Sequence, residues 1–256
     1  MRGSTLEALV AKGKILAAAR RRWAYMGAGP PGPASASGGR GGPLMDVYVL
    51  DTTAVTEARL RRKLGAASLE EVVERLAPLL REARVLVGTR FYMTPATWNE
   101  LRRLLIGNNV GLESVRELSA WITIKPPDKL GVRLPAAVFS EYVADVRRRL
   151  YRGLRVAEAA VRRAARECSG SEECLGDLIR GLRDKYREAT RKGLVDSVED
   201  LDTVLLALEM RGVLVSSDEG IRRLAEQLGV MIIDPEDWVE ALQRIIRAAR
   251  THQNHG

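Results

Sequence analysis

GLVDSVEDLDTVLLALEMRGVLVSSDEG, residues 193–220, sets carboxylates against apolar runs. Its first half has the apolar spacing of a helix, and its second ends on VLVSS, a short β-branched strand. Asp196, Asp200 and Asp202 surround the start of the helix, and Asp218 follows the strand. The 256-residue chain carries a formal net charge of +8, so these acids do not follow from an acidic composition. Carboxylates beside a core are costly unless something positive sits among them.

Upstream and downstream the same unit recurs. From Met45, MDVYVLDTT holds a strand at 47–50 with Asp51 at its end. SLEEVVERLAPLLREA opens on a capping-box pattern, Ser68 and Glu71, and continues at helical spacing. A second strand falls within 84–93, and TPATWNELRRLL starts a helix with Thr94 as N-cap and Pro95 at its first position. WITIK (121–125), VLVSS (213–217) and VMIIDP (230–235) supply three more strands. Short apolar strands separated by helices predict an α/β fold with a parallel sheet covered on both faces. Trp98, Trp121 and Trp238 read as core rather than as platforms for bases.

The stretch 135–192 breaks this rhythm. It is long, helical and Arg-rich, and CSGSEEC marks a turn between two helices. Phe139, Val143, Val146, Leu150, Ala157 and Val161 recur at helical steps, and Arg147, Arg148, Arg152, Arg155, Arg162 and Arg163 form the other face. An inserted antiparallel hairpin is expected, dividing an α/β domain of residues 45–134 and 193–250. Residues 27–43, GAGPPGPASASGGRGGP, read as a linker, so 1–44 form a flexible basic extension and Met45 is a plausible natural start.

Composition excludes several classes. No apolar run approaches the roughly 20 residues of a membrane span, and the basic N-terminus lacks a secretory h-region. Two histidines in the last five residues and two cysteines, Cys168 and Cys174, cannot assemble a finger-like zinc set. Two reduced thiols in a cytoplasmic protein are the expected state unless the source is a hyperthermophile, with a local disulfide as the alternative. The positive balance points to a polyanionic partner.

In an open parallel sheet, ligands bind beyond the carboxyl ends of the strands. Asp51 and Asp218 follow strands at that edge. Asp196 and Asp200 lie four apart, and Glu100 stands in the first turns of the helix after the second strand. Converging carboxylates call for hard cations, and all-oxygen ligands suit Mg²⁺ or Mn²⁺. Each residue also has a plainer role: Asp51 as a strand end, Asp196 and Asp218 as helix caps, Glu100 as a partner of Arg103, the Arg stripe as a solvated face. Asp202, among apolar neighbours, is the hardest to explain that way, because a buried acid needs a partner.

VYVLDTT, TPATWNEL, DSVEDLDTVLLALE and GVLVSSDEG together resemble the PIN-domain nucleases, and more closely the RNA-free, protein-only ribonuclease P family of the HARP type. The resemblance covers residues 45 to about 246, including the hairpin segments YRGLRVAE and LRDKYREA. It implies a three-layer, Rossmann-like PIN fold and metal-dependent removal of the 5′ leader from precursor tRNA. It implies Asp51, Asp196, Asp200, Asp202 and Asp218 as the acidic cluster, with Asp51, Asp196, Asp200, Asp218 and Glu100 as candidate ligands of Mg²⁺. It also implies a large homo-oligomer, dodecamer-like, built through the helical hairpin, whose Arg face holds the RNA. The alternatives are a PIN ribonuclease of another role, toxin-like or in RNA decay, and a non-catalytic RNA-binding or RNA-ligase-associated factor.

Overall fold

The computed structural model describes residues 47–191 and 197–253. The extension 1–44, Met45 and Asp196 therefore lie outside the described residues. Five strands, β1 (Val47–Leu50), β2 (Arg90–Met93), β3 (Ile122–Ile124), β4 (Val213–Val215) and β5 (Met231–Ile233), form one parallel sheet in the order β3-β2-β1-β4-β5. Each of the five strand assignments from sequence is borne out. Tyr48 and Leu50 face one side of the sheet and Val49 the other, and all three are buried. The sheet is therefore covered on both faces, the three-layer arrangement of an α/β PIN fold.

The helices follow the sequence signals. After β1 come α1 (Thr53–Thr56), α2 (Ala58–Leu64) and α3 (Leu69–Glu82). The Ser68 hydroxyl accepts from the Glu71 N–H, and the Glu71 carboxylate accepts from the Ala67 N–H, so the capping signature closes one residue further out than the standard box. Residues 83–87 continue as a π-helical turn, which confines the second strand to the end of its expected span. After β2 come α4 (Pro95–Gly107) and α5 (Leu112–Ala120). Thr94 caps α4, as its sequence predicts. After β4 come α9 (Glu219–Leu228), strand β5 and α10 (Pro235–Gln253), with α6 to α8 lying between β3 and β4.

The main core lies on the Tyr48 and Leu50 face and is built from Leu76, Leu80, Phe91, Leu101, Leu242 and their neighbours. Trp238 of α10 is fully buried there, with ring centroids 6.1 Å from both Tyr48 and Phe91. Trp98 and Trp121 pack against the same core. All three tryptophans are thus structural, as the sequence suggested.

The chain divides into two compact units, one running to Val132 and resuming at Asp202, the other Arg133–Leu201. The second holds α6 (Ala136–Glu167), α7 (Glu172–Arg191) and the start of α8 (Val198–Met210). The turn between α6 and α7 is closed by a disulfide, Cys168–Cys174, with Cα atoms 5.4 Å apart. This corrects the expectation of reduced thiols: the turn itself brings the two side chains within bonding reach.

The two helices meet on a face different from the apolar stripe. Gly153 is buried against the Tyr186 ring, where an added Cβ would approach a ring carbon to 2.5 Å. The Arg152 Nε donates to the Ala189 carbonyl at 2.9 Å, and Arg149 pairs with the buried Asp145 at 2.8 Å. Phe139, Leu150 and Val161 of the stripe remain more than half exposed.

Replacing Trp238 with Ala should cost about 3–5 kcal/mol, the usual range for removing a buried aromatic side chain. Urea unfolding followed by circular dichroism reads it; a loss within the range of a surface change would mean that α10 does not anchor the sheet.

Candidate active site

Parallel pairing sets the first contact. Leu50 stands opposite Val215, and the Asp51 N–H donates to the Val215 carbonyl at 3.1 Å. The register therefore brings Asp51 beside Ser216 at the carboxyl edge. The Ser216 hydroxyl donates to the Asp51 Oδ2 at 2.9 Å, the Thr53 hydroxyl to the same oxygen at 2.8 Å, and the Thr53 N–H at 3.3 Å. The Ser216 Oγ in turn accepts from the Asp218 N–H at 3.1 Å. Asp51 and Asp218 are thus joined through one serine. The Ser217 N–H donates to Thr53 Oγ1, and the Ser217 hydroxyl to Glu57, whose carboxyl it holds below its ordinary value.

Asp51 is buried, and burial pushes its carboxyl up, because the charged form loses its water. Hydrogen bonds from Thr53, Ser216 and the local backbone pull the other way and recover only part of that cost.

Glu100 reaches the same edge from α4. Its Oε2 accepts from the Thr52 hydroxyl at 3.1 Å, so the residue next to Asp51 tethers it. The partner anticipated from sequence, Arg103, instead donates to the Asn99 carbonyl. Three buried threonines join the helix starts: Thr94 and Thr97 share a hydrogen bond of 2.8 Å, and Thr97 and Thr203 one of 3.0 Å. Thr203 fixes the turn of α8 that carries Asp202.

Asp202 has its counter-charge in Lys129, with Nζ 2.7 Å from Oδ1. The acid that most needed a partner thus has a lysine from the loop after β3. Asp218 caps α9, its Oδ1 accepting from the Ile221 N–H at 2.9 Å, so the plainer role expected for it is real. Asp200 belongs to the second unit, where its N–H is capped by the Ser197 hydroxyl at 3.0 Å. Among the described residues, no three His, Cys, Asp or Glu side chains stand close enough to hold an ion by themselves. The donors at the edge, Asp51, Glu100 and Asp218, are all oxygens and suit a hard divalent cation.

All six predicted arginines, Arg147, Arg148, Arg152, Arg155, Arg162 and Arg163, are exposed on α6. Arg148 pairs with Asp145, Arg163 with Glu167, and Arg152 with the Ala189 carbonyl. Arg147, Arg155 and Arg162 make no ion pair among the described residues. A groove of about 390 Å³ between α6 and α7 has Arg155, Arg163 and Lys185 around an apolar floor that includes Val156 and Leu182.

Sequence reasoning missed the hydroxyls, Thr52, Thr53, Ser216, Thr97 and Thr203, and it missed Lys129. The signal for the first three was present, because each lies beside a candidate acid in LDTT or SSDE. Thr97 is bonded to its own cap, Thr94, and Thr203 stands beside Asp202, but the Thr97–Thr203 and Lys129–Asp202 contacts left no local signal, since each joins residues distant in the chain.

Residues 47–247 match the family model of the PINc domain ribonucleases, and the chain belongs to that family. Its relatives narrow the class. Proteins named RNA-free ribonuclease P are 53% identical in Hyperthermus butylicus, over 81% of this chain and 92% of the relative, and 50% identical in Aeropyrum pernix, over 79% and 93%. A third, from Ignicoccus hospitalis, is 45% identical over 80% of this chain and 98% of its own length. Within the PIN ribonucleases, the chain is a member of the RNA-free ribonuclease P family.

Two outcomes test the edge. Asp51 has a raised carboxyl, so its charged form costs stability above that raised value and nothing once the pH falls below the ordinary carboxylate range, about 4. In metal-free buffer, Asp51→Asn should therefore melt higher than the parent at pH 7, with the gain fading toward pH 4; a lower melting point at pH 7 would contradict the burial cost. Ser216→Ala leaves Asp51 in place but removes its support, and should lower ribonuclease activity about 10–100-fold, with a loss of about 1–3 kcal/mol of stability from the stranded polar groups.

Proposed function

We propose that this protein acts as an RNA-free ribonuclease P, an endoribonuclease that removes the 5′ leader from precursor tRNA in the cytoplasm. The observation that carries this reading is the buried Asp51 held at the sheet edge by Ser216 and Thr53, in a chain 53% identical to a protein named for that activity. A non-catalytic binder of a polyanion gains nothing from burying a carboxylate where its partner must approach.

In the reaction, a water oxygen bonds to phosphorus as the bond to the leader's 3′ oxygen breaks. The mature end keeps a 5′-phosphate and the leader a 3′-hydroxyl. A divalent ion, Mg²⁺ or Mn²⁺ in its place, supplies an activated water and neutralises developing charge when bound. The chain's own contribution is orientation. The bonds from Ser216 and Thr53 all go to Oδ2 and fix the orientation of the carboxylate. Asp218 and Glu100 supply further oxygens at the rim, while Asp196 and Asp200 join the ligand set through the motif alone. Asp202 supports the cluster through its ion pair.

The hairpin, residues 135–192, serves two tasks in this reading. Its exposed apolar stripe of Phe139, Leu150 and Val161 fits contact with further copies of the chain in a large homo-oligomer. Its arginines fit the RNA backbone.

Incubation with precursor tRNA and Mg²⁺ should give a single cut at the leader junction, and Asp51→Asn should abolish it. Cleavage elsewhere, or activity that survives the substitution, would refute the reading. Reversing Arg147, Arg155 and Arg162 to Glu should weaken tRNA binding and reduce the slope of log affinity against log salt by about 2–3. Filter binding across a salt series measures it.

A further inference from the structure

The loop that leaves β3 is held by α8 at two points with different character. Asp202 and Glu209 are seven residues apart on α8, about two turns, so they share a face. Lys125 and Lys129, four apart in the loop, meet them at 2.5 and 2.7 Å. The Glu209 end is closed. Its second oxygen accepts from the Asp128 N–H at 2.7 Å, and Asp128 folds the loop on itself by accepting from the Leu130 and Gly131 N–H groups. Burial opposes the Glu209 charge, but Lys125 and that N–H more than offset it, and its carboxyl stays below the ordinary value.

The Asp202 end is open. The Lys129 side chain is 54% exposed against 19% for Asp202. An ammonium has three donors, and its contact with Asp202 Oδ1 is an ion pair rather than a hydrogen bond: that oxygen is buried and has no hydrogen-bond partner among the described residues. Because Lys125, Asp128 and Glu209 already fix the loop, Lys129 is not needed to hold its shape. The lysine end of the pair is exposed while the Asp202 oxygen is buried, so the lysine offsets a buried charge as well as facing solvent. Its place is informative. The loop leaves β3 at the carboxyl edge where Asp51 leaves β1 and Ser216 leaves β4. Asp51, Glu100 and Asp218 at that edge repel an approaching phosphodiester, and Lys125, the other lysine of the loop, is taken up by Glu209.

We propose that Lys129 is a substrate-positioning residue: its ammonium, held in place by Asp202, takes a backbone phosphate of the RNA beside the cut. This rests on the ribonuclease reading of the edge. Asp202 then serves to aim a cation, and the loop anchors at Glu209 keep that cation over the edge before RNA arrives.

Binding and cleavage are measured separately. In the Asp51→Asn protein, which binds without cutting, the affinity for precursor tRNA is titrated by fluorescence anisotropy across a potassium chloride series, with and without Lys129→Met. Loss of one phosphate contact should weaken binding several-fold at low salt and reduce the log–log salt slope by about 0.7–0.9. Lys129→Arg, which keeps the charge, should keep the slope. In the cleaving protein, Lys129→Met should lower kcat/KM about tenfold when assayed well below the melting temperature of both proteins. An unchanged salt slope overturns the proposal, and so does a Lys129→Met protein that cuts precursor tRNA as fast as the parent. If the unsubstituted protein fails to cut precursor tRNA, while the slope measured on an unrelated single-stranded RNA still falls with Lys129→Met, the ribonuclease P reading is lost and this one stands.

Discussion

A buried carboxylate pinned by two hydroxyls organises the edge of this sheet. Asp51 sits where parallel pairing of β1 and β4 ends, and Ser216 and Thr53 both donate to one of its oxygens. The same serine accepts from the backbone of Asp218, which then caps α9. Burial raises the cost of the charge, and the hydroxyls recover only part of it. The site is therefore held in a costly state, as expected where a carboxylate must meet a cation or a reacting group.

Around that carboxylate, polar contacts between helix starts do the positioning. The Thr94–Thr97–Thr203 chain ties α4 to α8 at one to three per cent exposure. Threonine hydroxyls suit this role, because each donates and accepts and no net charge is buried. Glu100 hangs from Thr52, and Asp202 from Lys129. Acids on separate segments are in this way held by neutral donors or by a lysine, and carboxylates do not have to support one another.

The hairpin follows a different logic. Its two helices approach where Gly153 meets Tyr186 and Arg152 bonds the Ala189 carbonyl, while Phe139, Leu150 and Val161 of the apolar stripe stay exposed. The sequence shows that stripe clearly and suggests a packing face. Tertiary structure gives the packing to a different face, with Val156 and Leu182 between the helices and Gly153 letting Tyr186 lie across the backbone. The disulfide at the turn makes the hairpin's tip a covalent loop.

The sequence by itself determined the five strands, the helix caps at Ser68 and Thr94, and the hairpin. These are local signals: β-branched runs, a cap residue followed by helical spacing, a motif read within ten residues. Asp51, Asp218 and Glu100 were legible because each stands at a fixed offset from such an element. Only the tertiary structure decided that Ser216 holds Asp51, that Lys129 answers Asp202, and which face of the hairpin packs. Those outcomes join residues 73 to 165 positions apart or depend on how closely two helices approach. The spacing of a sequence carries the direction of a side chain along its own element, but not the identity of what another element brings to meet it.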